Sequence, residues 1–583
     1  MIELEEEIVL EGHPICRGIA IGKPFFLSRA DFKIFESRIP AGQIEREIDR
    51  YRHALSLSKQ DIKRLQKQLE VESAAEGVLI LEAQLEMLHD PLLTTEIEKE
   101  IKKNKKNAEF VFQRAILKYQ ERFKCINDPF FSERFQDLQD LSRRIFSYLS
   151  QSNNLSLTDL PPNSVVCAHD LTASDTASAQ SFCVSAFVTQ TGGATSHAAI
   201  VAKAKGIPYV ANVNLEALNE HPLALIIVDG RSGKVILNPS EETIEEYEQL
   251  NDRMQNQFKA LKQVTKWPAQ TFDGYALRLC ANLDVVHEAD LVHELGGAGV
   301  GLFRSEYIFL PHNEIPSEEE QYLTYRHLIQ RMKGLYVVIR TFDIGGDKPL
   351  LNPLYSNEKN NFLGYRPTRS LLREKVVLKT QLKAILRASF GENVGILFPM
   401  ISTLSELLEA KRILQEAREE LRLFHPIRIG CMIEVPSAAL IVDHFAQECD
   451  FFSIGTNDLV QYAFAIDRCE HSLHEFHEPA DPSIIRLMKL IISEANKARI
   501  PVSVCGEIAS DPRFTALLLG LGVQELSVAP RYLPIIKNTI RGTSIVHAVD
   551  LAERALALTT AQEIHDMLVD DYRKNFPDDL FFK

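Results

Sequence analysis

Thr191-Gly192-Gly193-Ala194-Thr195-Ser196-His197 leads directly into the alanine-rich stretch Ala198-Ala199-Ile200-Val201-Ala202-Lys203. The two glycines allow a tight turn, and Thr195 or Ser196 can cap the helix that the alanines predict. His197 then falls in the first helical turn, where free N–H groups and the helix dipole favour negative charge and disfavour an imidazolium. A neutral ring nitrogen in that field is a nucleophile that becomes anionic once phosphorylated. The bland alternative is a capping histidine of a packed helix, and the Gly-Gly-x-Thr-Ser-His context weighs against it.

A second set of chemically able residues lies downstream, each at the end of a short apolar run. Arg304 ends one such run; Arg340 ends the next, with Asp343, Asp347 and Lys348 just beyond it; Arg468 lies ten residues past Asn457-Asp458. Three guanidiniums and a lysine that converge on one cavity imply an anionic substrate carrying phosphate, because Arg matches phosphate and carboxylate bidentately. Glu434 and Asp458 are the carboxylates placed directly after the fifth and sixth runs, and hard oxygen ligands beside a phosphate suit Mg²⁺. Two uncompensated carboxylates would otherwise repel that phosphate. Cys505 closes the seventh run ahead of Gly506-Glu507, where position alone leaves inert packing and proton shuttling both open. Cys469, His471, His474 and His477 crowd one segment, but three-residue spacing carries successive histidines around a helix and the segment reads as loop. No zinc site is expected there.

The apolar runs themselves, at 277–283, 299–303, 336–340, 394–399, 429–435, 451–454, 502–505 and 525–528, alternate with helical stretches. Eight strand-then-helix units in about 300 residues are the arithmetic of a (β/α)₈ TIM barrel, whose active sites lie at the C-terminal ends of the strands. Residues 43–149 differ: apolar positions recur at helical spacing and Pro91 and Pro129 mark turns, which predicts an all-α helical subdomain. It interrupts β-type sequence at 165–168, 186–188, 209–213 and 225–228 and before it at Ile15-Cys16-Arg17-Gly18-Ile19-Ala20-Ile21-Gly22, so one α/β domain is built from both flanks. The expected organisation is therefore α/β multidomain: an α/β domain from 1–30 and 151–240, a helical insert at 31–150, a linker helix at 241–268 and a barrel at 269–583.

With 583 residues, this division leaves each unit room for a core. A net charge of −15 argues against a nucleic-acid binder driven by bulk charge. The nine cysteines are dispersed, odd in number and without a C-x-x-C pair, which excludes a disulfide framework. The opening MIELEEEIVL lacks the order of a signal peptide, and no apolar run is long enough to span a membrane. A cytoplasmic protein with no membrane insertion is expected.

Taken together, Gly-Gly-x-Thr-Ser-His at 192–197, Gly-Leu-Phe-Arg-Ser-Glu at 301–306, Arg-Thr-Phe-Asp-Ile-Gly-Gly-Asp-Lys at 340–348, Phe-Leu-Gly-Tyr-Arg at 362–366, Phe-Phe-Ser-Ile-Gly-Thr-Asn-Asp-Leu at 451–459 and Val-Cys-Gly-Glu at 504–507 resemble Enzyme I of the bacterial phosphoenolpyruvate:sugar phosphotransferase system. The likeness runs in order through essentially the whole chain. It implies a swivelling phosphohistidine domain, phosphoenolpyruvate bound with Mg²⁺ in the barrel, and phosphoryl transfer to His197 with release of pyruvate. The phosphoryl group would then pass to a histidine of the phosphocarrier protein HPr, docked on the helical subdomain. By motif, Arg304, Arg340 and Arg468 would hold phosphate and carboxylate, assisted by Lys348, Asn457 and Asp458; Glu434 and Asp458 would bind Mg²⁺; Cys505 would protonate the enolate. A homodimer through the barrel is a family expectation. Ala194 departs from the pattern, since many members carry Arg or another larger residue there. A dikinase charging the same histidine from ATP would need a nucleotide-binding domain, and the fewer than 200 residues before His197 hold no phosphate-cradling glycine loop.

Overall fold

A computed structural model describes residues 7–27, 36–71, 93–124, 129–150, 160–179, 183–193, 196–220, 225–308, 315–343, 367–467, 478–577 and 579, with positions 77, 81, 82, 84, 85, 87, 88 and 90 between. The chain divides into two compact units, Met1–Arg253 and Met254–Lys583. The division falls within the helix Glu241–Val264, which the sequence predicts over 241–266.

The first unit holds eight strands: β1 (Ile8–Glu11), β2 (His13–Cys16), β3 (Ile19–Phe26), β4 (Ser164–Ala168), β5 (Val184–Thr189), β6 (Tyr209–Ala211), β7 (Ile226–Asp229) and β8 (Lys234–Leu237), in the spatial order β1-β8-β7-β3-β4-β5-β6-β2. Strands β3, β4, β5 and β6 run parallel. Every residue of β4 is buried, as expected of a continuous apolar run covered on both faces. Alternate residues feed two cores. Val165, Cys167 and Val188 pack with Ile226 and Val228 on one side, whereas Val166 and Phe187 pack with Ala199 and Ala202 on the other. Residues of the helices Ile44–Val71, Thr95–Asn104, Ala108–Lys124 and Pro129–Ser150 build a third core around Tyr51, Phe112 and Ile145. The Tyr51 hydroxyl, buried there, donates to Leu93 O at 2.7 Å, and Arg50 ties Glu47 and Glu109 together at 2.6 Å each. The antiparallel strands β1 and β8 have no counterpart in the sequence expectation, and of β2 only Ile15 and Cys16 fall within an expected run. Each is four residues long, too short for alternation to be read against the surrounding turns.

The second unit is a closed barrel of eight parallel strands: β9 (Arg278–Leu283), β10 (Gly299–Arg304), β11 (Tyr336–Arg340), β12 (Val394–Phe398), β13 (Arg428–Ile433), β14 (Phe451–Ile454), β15 (Val502–Val504) and β16 (Glu525–Val528). All eight expected strands are present, with ends displaced by at most two residues. Val338, Leu397, Met432 and Phe451 fill one core, while the alternating Val337, Ile339, Ile396, Cys431 and Ile433 pack with the surrounding helices in another. The register sets Arg304 beside Arg340 at the C-terminal edge. No helix among the described residues is long and apolar enough to cross a membrane.

Candidate active site

In the first unit, the turn after β5 is held by three contacts. The Thr191 amide and hydroxyl both donate to His169 O, at 2.9 and 3.0 Å. Gly192 has φ of +152°, and a Cβ there would lie 2.9 Å from the Tyr209 hydroxyl, which is itself paired with Thr189 Oγ1 at 3.0 Å. Only a glycine clears that floor without strain. Ser196 is the N-cap: its hydroxyl accepts from Ala199 N at 3.2 Å, which selects it over Thr195. His197 is accordingly the first residue of the helix His197–Lys205, where unpaired amides and the dipole favour an anion. Its side chain, and residues 194 and 195, lie outside the described residues.

In the second unit, Arg304 and Arg340 end neighbouring strands. Arg304 meets Asp284 at 3.3 Å and keeps part of its surface open. Arg340 is buried between Glu306, which it contacts directly, and Asp343 at 2.9 Å. Burial alone would disfavour its charge, but Asp343, Glu306 and Glu434 outweigh that and hold the guanidinium protonated.

Glu434 stands directly after β13 and is almost fully buried. One of its oxygens accepts the Met400 amide at 2.6 Å. Met400 adopts φ of +52°, a backbone conformation that costs energy for a methionine and here aims an N–H at the carboxylate. Burial pushes the Glu434 carboxyl up to about 8; the Asp458 and Asp343 carboxylates add to this, and Arg340 and the Met400 amide oppose it. Asp458 is buried in the first turn of the helix Thr456–Phe464. The described mouth therefore sets two guanidiniums, Arg304 and Arg340, against five carboxylates, Asp284, Glu306, Asp343, Glu434 and Asp458. Glu434 and Asp458, hard oxygen donors close enough to raise the Glu434 carboxyl, fit a divalent cation. No three His, Cys, Asp or Glu side chains close a metal cage among the described residues, so the remaining coordination falls to water or substrate oxygens.

Gly455 explains why Glu434 can sit there. A Cβ on it would stand 2.5 Å from Glu434 Oε2 and 3.0 Å from Glu434 Cβ. Gly455→Ala is expected to displace the carboxylate, weakening divalent-cation affinity by at least about tenfold with a smaller change in melting temperature. Isothermal titration with the cation checks it; unchanged affinity would contradict this placement.

Cys505 follows β15, with its sulfur 3.1 Å from the donating Ser453 hydroxyl and its own S–H directed at Ile454 O, 3.5 Å away. Its backbone carbonyl accepts from Asn282 Nδ2 at 3.0 Å, and Ser527 holds Asn282 at 2.6 Å. Burial pushes the thiol up to about 11, against the Ser453 hydrogen bond and the two arginines, with Glu434 adding to the rise. It is therefore a protonated thiol at neutral pH, a proton donor in form. Asn457 is engaged with Glu507: its amide donates to Glu507 Oε1 at 3.0 Å and accepts the Glu507 amide at 2.9 Å. Lys348, Asp347, Arg468 and the Cys469, His471, His474, His477 segment lie outside the described residues. Asp284, Glu306 and Met400 are site residues that the sequence reading missed. Asp284 belongs to no motif, Glu306 closes the Gly-Leu-Phe-Arg-Ser-Glu run without a role read from it, and Met400 acts through its backbone.

Comparison with known proteins covers nearly the whole chain. Models of PEP-utilising enzymes match in three parts: the N-terminal domain at residues 11–134, the mobile domain at 160–233 and the PEP-binding domain at 258–545. The phosphoenolpyruvate-protein phosphotransferase of Bacillus subtilis (strain 168) is 35% identical over 560 residues, covering 95% of this chain and 98% of its own length. That of Staphylococcus aureus (strain MRSA252) is 34% identical over 571 residues, covering 97% of this chain and 100% of its own. An NMR solution structure of Enzyme I is 34% identical, covers 42% of this chain and 99% of its own, and has a TM-score of 0.38. Identity at that level along the full length of such relatives means that this chain belongs to the phosphoenolpyruvate-protein phosphotransferase family.

Proposed function

We propose that this protein takes the phosphoryl group of phosphoenolpyruvate onto His197, releases pyruvate, and passes the phosphoryl group to a histidine of the phosphocarrier HPr. The observation that supports this most is the gathering of Arg304, Arg340, Glu434, Asp458 and Cys505 at one end of a single barrel. In the reaction, the bond between phosphorus and the enol oxygen breaks as a bond from the His197 ring nitrogen to phosphorus forms. Arg304 and Arg340, with Arg468 and Lys348, hold the phosphate and carboxylate in place; Asn457 assists them from the helical turn that also carries Asp458, a turn tied to Glu507 by two hydrogen bonds. Glu434 and Asp458 would hold Mg²⁺, which when bound would supply positive charge against the phosphate and the developing enolate. Cys505 gives its thiol proton to the enolate carbon, and Ser453 donates a hydrogen bond to the sulfur left behind.

The direct test is incubation with labelled phosphoenolpyruvate and Mg²⁺. Acid-labile, base-stable label on the protein, transferable to purified HPr, is the expected result; no label would overturn the reading, and label that HPr cannot accept would point to another partner. The helical insert is the HPr-docking surface in this reading, and a cytoplasmic homodimer formed through the barrel is its expected state. For Cys505→Ala, pyruvate formation is expected to fall about 10²- to 10⁴-fold while phosphoenolpyruvate still binds. Unchanged pyruvate turnover in a coupled assay would remove the acid role.

A further inference from the structure

Behind the two arginines lies a polar network on which none of the chemistry above draws. Gln381, on the helix Lys375–Ala388, is fully buried, as are Ser305 and Tyr325. Its side-chain amide donates to Ser305 Oγ at 2.9 Å and to the Tyr325 hydroxyl at 3.0 Å, and its carbonyl accepts the Phe342 amide at 2.9 Å. Ser305 in turn donates to the backbone carbonyl of Arg340 at 2.6 Å, and Tyr325 donates to Gln321 Oε1 at 3.3 Å. Every hydrogen in this chain has one direction available. Flipping the Gln381 amide would set its NH₂ against the Phe342 N–H, donor against donor, so the orientation follows from the partners.

The connections have a geometric consequence. Ser305 is the residue after Arg304; the acceptor it uses belongs to Arg340; Phe342 lies two residues beyond. Glu306, next after Ser305, pairs with the Arg340 guanidinium. The ends of β10 and β11, which carry the two guanidiniums and are already joined by sheet pairing and by the Ser305–Arg340 bond, are thus bridged a second time, from Ser305 to Phe342, by one amide contributed by a helix. In a buried, low-dielectric setting the bonds that join Gln381, Ser305, Tyr325 and the Phe342 amide restrain one another, and losing Gln381 leaves the others unpaired.

We propose that Gln381 is a positioning residue that sets the spacing between Arg304 and Arg340, and with it the preference of the site for a ligand bearing two anionic groups, a phosphate and a carboxylate, over a ligand bearing one. The inference rests on the proposed substrate reading. A ligand that bridges both arginines senses their separation, because misplacement by about 1 Å is enough to cost large factors in a bidentate fit. A ligand that needs only one of them does not.

The test uses the full-length protein with Mg²⁺ and compares phosphoenolpyruvate with pyruvate, which has the carboxylate alone. Gln381→Leu, similar in volume but unable to bond, is expected to raise the half-saturating phosphoenolpyruvate concentration about tenfold or more, with the maximal labelling rate altered less than about threefold and pyruvate binding altered less than about twofold. Gln381→Glu keeps the acceptor for Phe342 and loses both donors, and should fall between. If the leucine variant fails to fold by its thermal transition, Gln381→Glu and Ser305→Ala, which cuts the link to Arg340, decide by the same ratio. A folded variant whose half-saturation for phosphoenolpyruvate stays within about twofold, or equal weakening of both ligands, overturns the proposal. Failure of the unaltered protein to bind phosphoenolpyruvate overturns the substrate reading together with it, so the two failures are distinct.

Discussion

His197→Ala is expected to leave the protein unlabelled by phosphoenolpyruvate, with pyruvate release reduced by at least about 10⁴-fold, the scale seen when the sole nucleophile of a covalent mechanism is removed. The expectation comes from position. His197 opens the helix His197–Lys205, capped by Ser196 on the preceding side and closed by Gly206, which has φ of +66°. The substitution leaves both caps in place and puts the best helix former in the first turn, so the melting temperature should change little. The amides of that turn remain able to stabilise an anion, but no atom remains to form the bond to phosphorus. Label retained in His197→Ala would place the nucleophile elsewhere. Phosphoenolpyruvate binding should survive, because Arg304 and Arg340 belong to the other unit, and calorimetric titration of the variant checks this separately.

Glu434→Gln should separate stability from function in opposite directions. The amide keeps an oxygen for the Met400 N–H, now at 2.6 Å from the carboxylate, and it keeps the size that Gly455 accommodates. What it loses is the charge for a divalent cation, so labelling should fall by about 10³-fold and cation affinity by at least about tenfold. In the metal-free protein, burial and the facing Asp458 and Asp343 raise the carboxyl from its ordinary value near 4.5 to about 8. A carboxyl raised on folding contributes stability that is fully present below about 4.5 and is lost as pH rises through about 8. At neutral pH that difference amounts to about 3 kcal/mol against the folded state, to order of magnitude. Metal-free Glu434→Gln is therefore expected to melt higher than the unaltered protein at pH ~7.5 and to lose most of that advantage near pH ~4.5. Adding the cation should narrow that advantage at neutral pH, by about 1.4 kcal/mol for each tenfold difference in cation affinity. Thermal melts at both pH values, with and without the cation, decide the matter; an advantage that does not depend on pH would contradict the assigned cause.

Legibility differed sharply between elements. The barrel strands are runs such as Tyr336-Val337-Val338-Ile339-Arg340 and Val394-Gly395-Ile396-Leu397-Phe398, apolar on both faces and closed by a charged residue or turn, a pattern that survives any reasonable reading. Strands β1, β2 and β8 are four residues long and take their form from pairing, β1 and β2 with partners distant in sequence: Ile8 with Leu237, and His13 with Ala211. Such strands exist because of their neighbours, and their own residues do not announce them. Asn457 illustrates the same limit within the site. As part of Thr456-Asn457-Asp458 it reads as a substrate contact, and only the folded chain adds that its amide also meets Glu507, fifty residues away in sequence.

Chemical identity along the chain was determined by the sequence alone: a histidine opening a capped helix, arginines and carboxylates at strand ends, a cysteine at another strand end, and a rhythm of eight strands and helices to carry them. Those features depend on local spacing and on period, which are one-dimensional quantities. The tertiary structure decided what each group faces. It chose Ser196 as the cap, turned the Met400 amide toward Glu434, paired Arg340 with Glu306 and Asp343, and drew Gln381 in behind both arginines. It also settled protonation, because the rise of Glu434 and Cys505 comes from desolvation and from charges that are distant in sequence and adjacent in space. Electrostatic energy depends on through-space distance and on exclusion of water, and neither quantity exists until the barrel closes.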